Sequence, residues 1–231
     1  MSHSAKSRSP TASAEARAVM FDEPGKLALR TVQLPDPEPD EVLVDIAWSG
    51  ISTGTERLLW TGDMPPFPGL SYPLVPGYES VGVVREAGAQ CQLKPGETVF
   101  VPGAQCYGEI RGLFGGTASR LVVPEARIRP IRESLGRNGA LLALAATAHH
   151  ALRPTPDAPL PDLIVGHGVL GRLLARLTIA LGGEAPMVWE TMEDRRHGAR
   201  DYAVIAPEPD TQYRTIVDAL SLIHISEPTR Q

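Results

Sequence analysis

At 231 residues the chain is long enough to bury a core in one large domain or two modest ones. Its 42% hydrophobic and 21% charged residues match an ordinary globular protein. A net charge of −5, from 27 Asp+Glu against 22 Lys+Arg, argues against a nucleic-acid partner, and no apolar run approaches the length of about 20 residues that a membrane span requires.

Residues 1–16, rich in Ser and Ala with almost no large apolar side chain, read as a disordered leader. From Arg17 to about Pro130 short apolar or alternating runs predict strands at Ala18–Phe21, Leu27–Thr31, Glu41–Trp48, Ser80–Glu86, Thr98–Val101 and Ala118–Val123. Turn signals separate them at Pro24-Gly25, Pro35 to Pro39, Pro95-Gly96 and Pro102-Gly103. Such spacing, with few helical stretches, predicts a partly open β-barrel. Thr61 to Pro76 carries Pro65, Pro66, Pro68, Pro73 and Pro76 among apolar side chains and reads as a stiff, greasy loop. The only cysteines are Cys91 and Cys106, and no secretory signal precedes them. Reduced thiols in a cytoplasmic protein are the expectation.

From about Ser134 the period changes. Leu135 to Leu152 places Ala and Leu at helical spacing and predicts a linking helix. A linker, Arg153 to Pro159, follows. Asp162–Val165 is a short buried strand, Gly171–Leu181 a helix and Met187–Trp189 a second strand, with further strands at Tyr202–Ala206 and Thr215–Val217. Strand, helix and strand in this order predict a parallel sheet with right-handed crossovers.

The strongest short motif is Gly166-His167-Gly168-Val169-Leu170-Gly171, which leaves an apolar strand and opens a helix as a dinucleotide-binding turn requires. Gly166 makes the turn, Gly168 clears space for the pyrophosphate, and Gly171 lets helix and strand pack closely. The helix N-terminus offers unpaired N–H groups to the phosphates. His167 reads as a solvent-side residue beside them. Glu190 ends the second strand 19 positions after Gly171, close to the offset of about 20 residues for the acid that accepts the ribose hydroxyls. A carboxylate there repels a 2′-phosphate, so the expected cofactor is NAD.

Pro76-Gly77-Tyr78-Glu79-Ser80-Val81-Gly82-Val83-Val84 resembles the Pro-Gly-His-Glu-x-x-Gly-x-Val segment of the medium-chain zinc-type alcohol dehydrogenases, and Lys94-Pro95-Gly96-Glu97-Thr98-Val99 is similar to another turn of that family. The resemblance covers Arg17 to Ala219. It implies an α/β-plus-β architecture: a GroES-like partly open barrel and linking helix over 17–150, then the first half of a Rossmann doubly wound parallel sheet over 151–219. The runs Trp48 to Gly62, Met64 to Gly69 and Tyr72 to Glu79 resemble, more narrowly, the branch of the family that oxidises the 3-(1-hydroxyethyl) group of (bacterio)chlorophyllides to 3-acetyl. That implies a tetrapyrrole substrate, a role in bacteriochlorophyll synthesis and a homodimer for a full-length form. The nucleotide fold reads as incomplete, and residues 220–231 as a non-native tail.

The resemblance also implies a catalytic zinc, but its ligand positions carry Ser52, Tyr78 and, near Ala143, nothing able to ligate. Nor do Cys91 and Cys106 match a structural-zinc spacing. The expectation is no metal. Alcohol oxidation must then find its proton acceptor and its hydroxyl-polarising donor elsewhere. The candidates are Ser52, Thr53, Thr55, Glu56, Tyr78 and Glu79, with His149 of the linking helix as a proton relay and His150 facing elsewhere. Trp48, Trp60, Phe67, Leu70 and Tyr72 are candidates for a wall against a flat apolar substrate, or for core. Two alternatives stay open: a zinc-free quinone or enone reductase, and a non-catalytic dinucleotide or tetrapyrrole binder.

Overall fold

The computed structural model describes residues 14–153, 157–208 and 210–220. Most of the expected leader, part of the Arg153–Pro159 linker and nearly all of the expected tail therefore lie outside the described residues. Two compact units divide between Ala143 and Leu144.

The first unit is built from β1 (Ala14–Glu23), β2 (Lys26–Leu34), β3 (Glu41–Ser49), α1 (Thr55–Thr61), β4 (Leu74–Val75), β5 (Ser80–Ala87), β6 (Thr98–Val101), β7 (Arg111–Gly112), β8 (Arg120–Pro124) and β9 (Arg129–Pro130). Its strands form two sheets, ordered β2-β1-β4-β7 and β8-β3-β5-β6-β9. An antiparallel bridge from Ala18 to Ala118 brings the first sheet to the segment preceding β8, and the sheets do not close. Alternation drives β1: Ala16, Ala18 and Met20 are buried while Glu15 and Arg17 are exposed. Ala14, Glu15 and Ala16 are thus strand, not leader, because they pair with Leu34, Gln33 and Val32. The core gathers Leu34, Val42, Val44, Val99, Leu121 and Ile128, each contributing roughly 1.5–3 kcal/mol by leaving water.

Two local features depart from the sequence reading. The run Trp48 to Gly62 contains α1, whose seven residues are too short to show a helical period. Ser52 Oγ accepts the Thr55 N–H at 3.1 Å just ahead of it, and Gly62, at φ +82°, ends it. Thr61 to Pro76 is accordingly not all loop, since Thr61 closes α1 and Leu74–Val75 is β4. The linking helix is also not continuous. Glu133–Leu141 is a 3-10 segment interrupted at Gly136 (φ +48°, ψ −132°), and α2 runs only over Leu142–Leu152.

The second unit contains β10 (Leu163–Val165), α3 (Val169–Ala180), β11 (Met187–Trp189), β12 (Ala203–Ile205) and β13 (Ile216–Asp218). The sheet order is β12-β11-β10-β13, every pairing parallel. β10 sits between Asp162 and Gly166, and β11 follows Pro186. Leu174 and Ala175 of α3, Ala148 and Leu152 of α2, Ile164 and Val188 form one buried cluster. The helix opens two residues earlier than expected, because Gly168, at φ −73° and ψ −169°, takes the N-cap position.

Candidate active site

In the first unit α1 and the segment after β4 converge. Gly77, at φ +96°, turns the chain into Tyr78, and a Cβ there would lie 2.0 Å from Thr117 Oγ1, so only glycine fits. Glu79 follows with its carbonyl accepting the Gly50 N–H at 2.8 Å. A Cβ at Gly50 would lie 2.2 Å from Glu79 Oε2, so the glycine leaves room for the buried carboxyl.

These elements leave a cavity of about 550 Å³, within the usual range for small-molecule sites. Leu59, Met64, Phe67, Leu113 and Phe114 line it, and Thr55 and Tyr78 supply its hydroxyls. Thr55 Oγ1 and the Tyr78 hydroxyl stand 3.4 Å apart, long for a hydroxyl–hydroxyl bond, so each keeps hydrogen-bonding capacity for a third oxygen. Phe114 packs edge-on against Tyr78 at 5.5 Å and fixes the ring.

Two carboxyl groups lie behind. Glu56, on α1, is buried, and its Oε2 accepts the Ser52 N–H at 3.0 Å. Burial pushes its pKa up to about 7, against the pull of the Glu56 and Ser52 backbone N–H groups, and the charge of Glu79 adds to the rise. Glu79 is also buried, its Oε1 has no hydrogen-bond partner among the described residues, and burial raises its pKa as well.

The structure thus brings Ser52, Thr55, Glu56, Tyr78 and Glu79 into one neighbourhood. Thr53 is exposed on the turn before α1, while His149 and His150 are exposed on the last turn of α2, in the second unit. Of the proposed aromatic wall, Phe67 lines the cavity. Leu70 and Tyr72 pack instead with Phe21, Leu59 and Leu74, and the Tyr72 hydroxyl donates to the Leu59 carbonyl. Trp60, 45% exposed, stands on α1 outside the lining, and Trp48 borders a separate shallow cleft. Phe114 and Leu113 escaped sequence reading because nothing in Gly112-Leu113-Phe114-Gly115 marks a site.

The zinc that the resemblance implies does not fit this donor set. Ser52 and Tyr78 offer neutral hydroxyls, and Ser52 Oγ already accepts a backbone N–H. Among the described residues no three His, Cys, Asp or Glu side chains gather as metal ligands would.

A second site surrounds the glycine turn of the other unit. Gly166 has φ +100°. A Cβ on Gly171 would lie 1.9 Å from the Gly166 carbonyl oxygen, which is why α3 can sit so close to the turn. A Cβ on Gly168 would meet nothing within 4 Å, leaving open space ahead of Val169 and Leu170 at the helix N-terminus. Glu190 is buried. Its Oε2 accepts the His167 N–H at 3.0 Å and its Oε1 the Met192 N–H at 3.0 Å. Burial pushes this carboxyl up, but the Met192 and His167 N–H groups and the Arg195 charge outweigh it and hold the pKa below the ordinary range. The group is therefore an ionised acceptor. Arg196 does not lie open toward it, since its Nε and Nη2 donate to the Glu190 and Thr191 carbonyls at 2.8 and 2.9 Å.

His167 corrects the sequence reading. It is 1% exposed rather than solvent-side, because its ring turns inward to the Arg195 carbonyl and the Tyr202 hydroxyl.

Residues 38–133 match the family model of the alcohol dehydrogenase GroES-like domain. The 2-desacetyl-2-hydroxyethyl bacteriochlorophyllide A dehydrogenase of Rhodobacter capsulatus is 55% identical over 208 residues, which are 89% of this chain and 66% of that protein. The protein of the same name from Cereibacter sphaeroides is 56% identical over 87% of this chain and 65% of its own length. The chain thus spans just under two thirds of these curated relatives. Among solved structures, a dehydrogenase from Sinorhizobium meliloti bound to NADP is similar, with a TM-score of 0.67 and 25% identity over 84% of this chain and 63% of that one. An alcohol dehydrogenase from Escherichia coli complexed with NADH has a TM-score of 0.69 at 20% identity, covering 90% of this chain and 70% of that one, a likeness of fold.

Proposed function

The chain belongs to the medium-chain alcohol dehydrogenase family, and we propose that it takes part in the NAD-dependent oxidation of the secondary alcohol on the 3-(1-hydroxyethyl) group of a bacteriochlorophyllide, giving the 3-acetyl macrocycle. The names of the two bacterial relatives, at 55% and 56% identity, supply the substrate class. The observation that carries the chemistry is the cavity with apolar walls and a pair of hydroxyls, Thr55 and Tyr78, 3.4 Å apart. A hydroxyethyl arm enters apolar walls readily, and its single oxygen meets the only two polar side chains of the lining. Phe67 and Phe114, 39% and 42% exposed, present aromatic surface to the macrocycle at the rim.

Oxidation removes the hydroxyl proton and a hydride from the carbinol carbon. Bound NAD supplies the acceptor for that hydride. Thr55 and Tyr78 hold the alcohol oxygen and donate to it as carbonyl character develops, the work a zinc ion does elsewhere in the family. Glu56, with a pKa of about 7, is suited to store the released proton at working pH. Ser52 supports the group from outside the lining, bonding Glu56 and the Thr55 N–H, and Glu79 is buried beside Gly50. Thr53, exposed on the turn before α1, is a further hydroxyl candidate in this reading, and His149 of α2 its proton relay.

Gly166, Gly168 and Gly171 fit the pyrophosphate and Glu190 the adenosine ribose. NAD is preferred over NADP because Glu190 is ionised and buried, and because the Arg196 guanidinium is engaged by main-chain carbonyls. A cytoplasmic location goes with this reading; among the described residues no helix is long and apolar enough to cross a membrane.

Incubating the protein with NAD and 3-(1-hydroxyethyl) bacteriochlorophyllide a tests the reading. The acetyl product, with its carbonyl conjugated to the ring, absorbs to the red of the alcohol, and NADH appears in equal amount. Consumption of NADPH with an enone or quinone substrate and no acetyl pigment from NAD, or no pigment chemistry at all, contradicts it.

A further inference from the structure

His167 stands between the first two glycines of the turn, where only its backbone is expected to matter. Every one of its polar groups is nevertheless engaged. Its N–H donates to Glu190 Oε2 at 3.0 Å, and its carbonyl accepts from Arg172 Nε at 3.2 Å. Nδ1 lies 2.6 Å from the Arg195 carbonyl oxygen and Nε2 2.8 Å from the Tyr202 hydroxyl. A carbonyl can only accept, so the neutral ring carries its proton on Nδ1, and Nε2 accepts from Tyr202. Arg172, one turn into α3, reaches the same stretch, its Nη2 donating to the carbonyls of His197 at 2.6 Å and Arg195 at 3.3 Å. An apolar side chain would fill this volume equally well but would orient nothing.

Apart from the Arg172 Nε bond to the His167 carbonyl, these bonds end on the connection between β11 and β12, the segment that follows the ribose-reading carboxylate. We propose that His167 and Tyr202 are positioning residues for the adenosine half of the dinucleotide, latching the β11–β12 connection to the glycine turn so that Glu190 and the α3 N-terminus stand in binding geometry before the ligand arrives. The inference rests on the NAD-binding reading above. Its energetic logic is preorganisation: a connection already ordered loses little freedom on binding. Glu190 needs the same support, because its two oxygens are aimed by the N–H groups of His167 and Met192, one at each end of the latch.

Calorimetric titration of the full chain with NAD, and separately with 5′-AMP, tests this. AMP carries only the adenosine half, so the latch must act on both ligands alike. His167→Ala is expected to weaken NAD and AMP about tenfold each, the scale of one lost buried hydrogen bond. Tyr202→Phe, which removes a single oxygen, is expected to weaken both in the same direction by less. The double variant is expected to be no weaker than His167→Ala alone, because both substitutions release one latch. His167→Asn can place its amide nitrogen where Nδ1 stands and is expected to recover part of the loss. Folded variants, judged by Tm, that bind both ligands as tightly as wild type overturn the proposal, and Tyr202→Phe alone decides it if His167→Ala does not fold. Strictly additive losses in the double variant also overturn it. Wild-type protein that binds neither ligand sinks the NAD reading and this inference together, whereas wild-type binding with unaltered variants sinks only the latch.

Discussion

Replacing Gly171 or Gly168 by alanine adds the same methyl group three residues apart, and the structure predicts opposite consequences. At Gly171 the new carbon lies 1.9 Å from the Gly166 carbonyl oxygen, where a carbon–oxygen contact of about 3.3 Å is ordinary. The difference, roughly 1.4 Å, must come from moving α3 away from β10 or from rebuilding the turn. Leu174 and Ala175 of the same helix, buried in one cluster with Ile164 of β10, resist the first. Overpacking of this kind costs roughly 1–3 kcal/mol, a fall in Tm of roughly 2–12 °C for a protein of this size. At Gly168 the methyl meets nothing within 4 Å, and φ is −73°, accessible to any residue. Gly168→Ala should therefore keep the wild-type Tm yet lose NAD affinity at least about tenfold, because the methyl occupies the pyrophosphate's space. Differential scanning calorimetry beside NAD titration separates the two effects. A Gly171→Ala protein with wild-type Tm, or a Gly168→Ala protein with undiminished NAD affinity, refutes the reasoning.

Tyr78→Phe and Thr55→Val should each lower turnover roughly 10²-fold, the scale of losing one donor to a developing carbonyl oxygen, with NAD affinity unchanged; steady-state kinetics on the pigment substrate shows this. Glu56 has a folded pKa of about 7 against an ordinary 4.5, so the folded state holds its proton across a range where the unfolded state has released it. Its contribution is complete below about pH 4.5 and is lost as pH rises to about 7, up to about 3 kcal/mol in all. Glu56→Gln should accordingly flatten the decline in stability over that window in denaturant titrations, and an unchanged slope would remove Glu56 as the buried proton store. Glu190→Gln should narrow the preference for NAD over NADP by at least about tenfold, because it removes the charge that repels a 2′-phosphate; competitive binding of the two cofactors measures it.

The architecture was legible in the sequence because periods and punctuation carry it. Alternation from Ala18 to Phe21 and the Gly-bounded run Leu163–Val165 needed no tertiary information, whereas Ala14–Ala16 passed for leader because only their pairing with Val32–Leu34 makes them strand. α1 was not legible, since seven residues inside Trp48 to Gly62 cannot display a period and its start depends on a Ser52 Oγ hydrogen bond. The linking helix was read as too long because Gly136 looks tolerable in sequence but has φ +48° in the fold. At the site, the family resemblance marked the positions of Ser52 and Tyr78 in the sequence. The pairing of Tyr78 with Thr55, the contribution of Phe114 and the burial of Glu56 were not legible, because each depends on elements distant in the chain. His167 misled for a related reason: its partners, Arg195 and Tyr202, are 28 and 35 residues away. The one signal that pointed to them was a bulky polar side chain in a turn that usually favours small ones.

In the proposed reaction hydroxyl groups, rather than a metal ion, hold the alcohol oxygen. The direct measurement is the rate of acetyl-pigment formation in protein stripped by exhaustive chelation, compared with untreated protein and with Thr55→Val. Equal rates before and after stripping, and a large loss in the variant, are expected. Activity abolished by chelation and restored by zinc would contradict this reading.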